Sequence, residues 1–209
     1  MYNFTIPMAL MDYVPVIFFG VTAVLLLRDL YNKMFKGAYA LLAAGSVNVF
    51  LAGFCKATWK LLYAANICDF VALEDMFMPV NSLGLLFVGL SIVGMLCWKR
   101  KSVMLSAAPV AFTSSMPFIM MMVLGLGGMC AGLSILSAKM KKGGVMVLFI
   151  LSFVCAMAMG YMSSQDSTQE WVNWVEQSIN TVSQLCLMLG VIVLHKSGLK
   201  DWTWEETKV

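Results

Sequence analysis

The sequence predicts an all-α, polytopic transmembrane helix bundle, and three observations carry that prediction. Of the 209 residues, 61% are hydrophobic and only 12% are charged, where a soluble chain is about a quarter charged. Mean hydropathy is +0.85. Several apolar runs reach the roughly 20 residues that a helix needs to cross the hydrocarbon layer. Such a chain cannot present a wetted surface, which excludes disordered and secreted disulfide-framework classes. A net charge of +3 is too small to argue for nucleic acid. The expected partner is the lipid bilayer, and residues 1–209 form one membrane domain.

Taken in order, the N-terminal stretch Met1–Tyr13 holds Asp12 and no basic residue, unlike the positive start of a cleavable signal peptide. The first span is Val14–Lys33, opened by Pro15 at a position that tolerates proline. Gly37–Lys56 and Ala72–Cys97 follow as the second and third. Ser102–Ser115 is apolar but short. Pro117–Ala138, Gly144–Ser163 and Val172–His195 complete the set. The short segment either extends the helix after it, giving six spans, or crosses alone, giving seven.

The positive-inside rule discriminates between these. Six spans divide the basic residues eight against six, with no bias. Seven spans put all of them on one side except Lys56 and Lys60, which could snorkel from the end of the second helix. Asp12, Asp69, Glu74, Asp75, Asp166, Glu170 and Glu176 then fall on the opposite side. Seven spans are preferred, with the N-terminus outside and the C-terminus cytoplasmic, in a plasma or inner membrane. Six spans as a 3+3 inverted repeat is the alternative.

An internal repeat points the same way. "NKMFKG" at Asn32–Gly37 matches "AKMKKG" at Ala138–Gly143. Pro15 corresponds to Pro117, Gly53-Phe54 to Gly160-Tyr161, and Glu74 to Glu176. The plan is 3+1+3 with parallel repeats: residues 8–98, a linker helix at 102–115, residues 116–200, and a cytoplasmic tail at 201–209. It resembles the architecture of the sugar-semisweet/PQ-loop transporters and of rhodopsin-like seven-helix proteins. The resemblance is architectural only, because no Pro-Gln pair occurs and Val172–His195 carries no mid-span lysine.

Polar groups at membrane depth are costly and are functional candidates by default. On the third helix Glu74, Asn81 and Ser82 share one face; on the seventh, Glu176, Asn180, Ser183 and Gln184 do the same. Asn48 on the second helix reaches a similar depth to Asn81. Together they predict a substrate-binding pocket between the second, third and seventh helices, with two carboxylates at its mouth. Pro79 would free a backbone carbonyl nearby. Asn, Gln and Ser also serve as plain interhelical glue, so the two readings stand side by side.

No cofactor, metal or catalytic group is expected. The pairs Met76/Met78 and Met157/Met159 and the run Met120–Met122 offer thioethers that suit Cu(I), but Met is also adaptable apolar filler. His195, beside Lys196, reads as an exposed interfacial residue. The six cysteines show no C-x-x-C spacing and read as small apolar residues. Trp59, Tyr63, Trp98, Trp171 and Trp174 read as an aromatic belt, and Trp202 and Trp204 could rest the tail on the inner surface. Gly128-x-x-x-Gly132 suits close packing, a homodimer or a membrane partner.

The function expected first is a transporter of a small cationic or amine-bearing solute. A seven-helix sensor or partner subunit without a transport cycle is the second reading. A lipid-acting membrane enzyme using the outer carboxylates is the third, although hydrolase and phosphate-loop motifs are absent.

Overall fold

The computed structural model describes residues 5–97, 115–162 and 170–202, with the side chain of Glu170 left out. These residues are helical with no strand among them. Six helices are long and apolar enough to cross a membrane: Ile6–Leu30, Lys36–Ala64, Ala72–Cys97, Met116–Lys139, Gly143–Met162 and Trp171–Lys196. The chain is therefore an integral, multi-pass membrane protein. Six described spans fit the six-span alternative. The linker helix expected at 102–115 lies outside the described residues apart from Ser115, as do Trp98, Trp204 and most of the 201–209 tail.

The first span is two pieces, α1 (Ile6–Met11) and α2 (Tyr13–Leu30), with the break at Asp12. Pro15 stands three residues beyond the break and has neither an N–H nor room for the carbonyl of Met11. The span thus starts earlier than its expected Val14. The second, α3 (Lys36–Ala64), runs well past Lys56. Nothing between Lys56 and Ala64 breaks a helix, and it ends only where Asn66 takes φ +54° and the Ile67 N–H returns to Leu62. Lys56 and Lys60 therefore sit within the helix, not at its tip. The third span repeats the first: α4 (Ala72–Asp75) and α5 (Phe77–Cys97) are divided at Met76, three residues before Pro79. Then come α6 (Met116–Lys139), α7 (Gly143–Met162) and α8 (Glu170–Lys196).

Each large helix packs against its neighbours in chain order, and α8 closes the ring on α2. The directions follow from which residues meet. Tyr13 bonds Thr58 while Tyr31 meets Tyr39, so α2 and α3 are antiparallel. Gly45 lies on Gly84 and Lys56 on Phe77, so α3 and α5 are antiparallel too. The pair α7 and α8 is also antiparallel, with Ser152 on Ser183 and Phe149 on Gly190.

Two pairs are parallel. Met11 of α1 meets Gln177 and Asp29 of α2 meets His195, so the first span runs parallel to α8. Across α5 and α6, Leu85 meets Gly125, Val93 meets Gly128, and Leu96 meets Gly132. As a result Arg28, Lys33, Lys36, Lys139, Lys141, Lys142, Lys196 and Lys200 gather at one end of the bundle. Asp12, Asp69, Glu74, Asp75 and Glu176 gather at the other, together with Lys56 and Lys60.

The α5–α6 seam is the tightest. A Cβ on Gly89 would land on the Gly125 carbonyl, and one on Gly132 would come within 2.5 Å of Ile92. Only glycine lets the two backbones approach this closely. The Gly128/Gly132 face is thus occupied by α5 of the same chain. Inside the ring, Leu26, Leu30, Leu42, Ile92, Leu133, Phe149, Leu187 and Val191 form the core. Ile17, Val24, Leu124, Val147 and Val154 point outward and are exposed, the apolar coat that lipid requires.

Candidate functional site

At the acidic end, the break before α2 turns the Asp12 carboxylate toward α3. Its Oδ2 accepts an ion pair from Lys60 at 2.7 Å. Asp12 is 7% exposed, and its Oδ1 is buried with no hydrogen-bond partner among the described residues. The same break leaves the Met11 carbonyl without the N–H that Pro15 lacks. Gln177 of α8 fills the gap, donating Nε2–H to Met11 O at 3.1 Å. The α1–α2 junction is thereby tied to α3 through charge and to α8 through an amide.

One turn before Lys60, the Lys56 ammonium sits 4.2 Å from the centroid of the Phe77 ring, a cation–π contact. Lys56 makes no ion pair among the described residues. Asp12, Glu74 and Glu176 all lie within its electrostatic range, as does Lys60. Trp59 is buried and donates Nε1–H to Asp69 Oδ1 at 2.9 Å, which pins the loop after α3. It is therefore an interior residue rather than part of an exposed belt, whereas Trp171 is exposed.

The expected site residues divide. Glu74 and Glu176, both half-buried, share the field of Lys56. Asn81 and Ser82 are buried on α5, and the Ser82 hydroxyl donates to the Pro79 carbonyl at 3.1 Å. Asn48 is brought to them: its Cβ lies 3.0 Å from where a Cβ on Gly84 would stand, one turn from Asn81. On α8, Ser183 donates to the Ser152 carbonyl at 2.8 Å. Asn180 is half-buried, and the Gln184 Oε1 is buried without a hydrogen-bond partner among the described residues. Because α5 packs on α3 and α6 while α8 packs on α2 and α7, the two polar faces belong to different helix pairs. Glu74 and Glu176 both act on the Lys56 ammonium.

At the basic end, Asp29 of α2 is buried, and both its oxygens face His195 Nδ1 of α8, at 2.8 and 3.1 Å. His195 is thus a half-buried partner of a buried carboxylate, not a free interfacial residue. Lys33 donates to the Trp202 carbonyl, and Trp202 packs into the core rather than lying on the surface. Asp12, Lys56, Gln177 and Asp29 were absent from the sequence-based site. The available signals were a charge inside an apolar run, for Asp29 and Lys56, and the proline three residues after Asp12. No group of three His, Cys, Asp or Glu suited to a metal occurs among the described residues. No protein-family model, curated protein or solved structure matches the chain.

Proposed function

We propose that the protein is a small-solute transporter of seven spans in a 3+1+3 parallel repeat, taking a cationic or amine-bearing solute at its acidic end. The observation that carries the reading is the parallel packing of α5 on α6. Consecutive crossings run in opposite directions, so two parallel neighbours call for a further crossing between them, at 102–115. The ring order α2–α3–α5–α6–α7–α8 is compatible with two three-helix halves that meet at α5–α6 and at α8–α2.

The offset between paired features is 102 residues for Pro15/Pro117 and Glu74/Glu176, 106 for Lys33/Lys139 and 107 for Gly53/Gly160. By the 102-residue offset Asp29–His195 falls on Ala131–Val93, and Val93 packs against Gly128 while Ile92 packs against Gly132. Repeats of this kind place a solute site where the two halves meet and let one half rock against the other. Glu74, Glu176, Asn48, Asn81, Ser82, Asn180, Ser183 and Gln184 would line the route, with the acidic end outside and the basic end in the cytoplasm.

The test is uptake into vesicles reconstituted with purified protein, comparing Glu74→Gln and Asn81→Leu with the parent. Both variants should stay folded and lose most of their uptake. Parent-level uptake in both, or no uptake of any amine or cation by the parent, overturns the reading.

A further inference from the structure

We infer that the acidic end is built to hold a zwitterion, an α-amino acid or a molecule like it, with Lys56 taking the carboxylate and Asp12 with Glu74 taking the ammonium. The inference rests on the transporter reading for its purpose and narrows its solute class, but its geometry stands alone.

The first observation is an ammonium that makes no ion pair among the described residues. An ionised lysine drawn partly out of water is normally paired with a carboxylate or carbonyl. Lys60, one turn further along α3, obeys that rule through Asp12. Lys56 does not: it has the Phe77 ring at 4.2 Å and no ion pair among the described residues. A ring face offsets part of the lost hydration and leaves the ammonium's remaining protons directed elsewhere. Lysine donates three N–H groups and accepts none, so the group it awaits is an acceptor, and best an anion.

The second observation is an acceptor without a donor. Asp12 Oδ1 belongs to a residue 7% exposed and has no hydrogen-bond partner among the described residues. A buried carboxylate oxygen left bare costs the desolvation of that group, and its two lone pairs suit N–H donors. Glu74, half-buried on α4, adds a second carboxylate in the same field, and Glu176 a third.

The two open groups, one of each sign, favour a ligand that carries both signs. A plain cation leaves Lys56 without an acceptor, and a plain anion leaves Asp12 Oδ1 without a donor. A molecule carrying both signs close together satisfies both unpaired groups and adds no net charge to a partly dehydrated site. Phe77 and Tyr13 border the cluster and offer apolar surface to the rest of the molecule.

The experiment measures binding to the full chain in lipid nanodiscs, by thermal shift and calorimetry. The probes are the twenty common α-amino acids, followed by the decarboxylated amine and the deaminated acid of each one that binds. At least one amino acid should bind, and each single-charge counterpart should bind about ten- to a hundredfold more weakly, as expected for losing one charge-assisted hydrogen-bonding group. Lys56→Met removes an unpaired cation and should fold normally. It should abolish the preference for the amino acid over its amine, while Glu74→Gln should weaken the amino acid and the amine alike. Binding by none of the twenty, or amines that bind as well as amino acids to both parent and K56M, overturns the inference. Amino-acid binding without uptake in vesicles would leave it standing and overturn the transporter reading instead. Lys56-independent uptake of a simple amine would do the reverse.

Discussion

Gln177 of α8 donates its side-chain amide to the Met11 carbonyl at 3.1 Å, the carbonyl that Pro15 has no N–H to reach. A proline in the first turn of α2 therefore creates a need that the opposite end of the sequence meets. In lipid an unmet backbone carbonyl is costly, and a half-met one weakens the seam it belongs to. Here that seam is the closure of the ring.

Gln177→Leu should therefore lower stability by about 1 kcal/mol, the usual size of an interhelical hydrogen bond in a membrane bundle. Unfolding in mixed micelles measures this. Replacing Pro15 with Ala in the same background should restore part of the loss, because an alanine N–H can satisfy Met11 from within the helix. Unchanged stability in Gln177→Leu would mean that another group already serves the carbonyl.

Much of the fold was legible because the bilayer demands long apolar runs, and those runs cannot be hidden in a sequence. The helix boundaries were less so. Lys56 looked like an end because charge usually marks one, yet a long lysine stem lets a helix continue beneath it. Of the residues expected at the site, Glu74 and Glu176 both act on Lys56, and Ser183 bonds to Ser152 of a helix outside the expected trio. Helical periodicity says which residues share a face; it does not say which helix that face meets. Asp29 and His195 are 166 residues apart, and no local pattern announces such a pair.

The glycines of the α5–α6 seam should be intolerant in proportion to what a Cβ would meet. Gly125→Ala puts a methyl group into the backbone of Leu85 and Leu86, and overpacking of that kind costs roughly 1–3 kcal/mol or more. Gly144→Ala, with nothing within 4 Å, is the matched control and should be neutral or slightly stabilising through helix propensity. Equal melting temperatures for the two variants would contradict the close approach of α5 and α6.

The Asp29–His195 pair makes a prediction about coupling. His195→Leu strands a buried carboxylate and should cost about 3 kcal/mol or more, as breaking a buried pair does. Adding Asp29→Leu should then recover a large part of that loss, because the stranded group is gone. A double-mutant cycle on unfolding free energies reads the coupling directly. Additive losses would show that the two side chains stabilise the bundle independently.

The direction of α6 makes the most decisive prediction, because the number of crossings follows from it. Cys68 and Cys97 are both exposed and lie at the acidic and basic ends respectively. Ser115, at the start of α6, is exposed and stands at the acidic end, since α6 runs parallel to α5. In a background otherwise free of cysteine, three single-cysteine chains retain Cys68, retain Cys97, or carry Ser115→Cys. Each is treated with a membrane-impermeant maleimide in sealed cells or in vesicles of known orientation. Parallel α5 and α6 require Cys68 and the Ser115→Cys position to label from one side and Cys97 from the other. The segment between Cys97 and Ser115 then has to return across the bilayer, giving seven crossings and two like-oriented halves. Labelling of the Ser115→Cys position from the same side as Cys97 would make α6 the fourth of six spans. It would also separate Glu74 from Glu176 by the full thickness of the membrane and remove the shared acidic mouth on which the solute site depends.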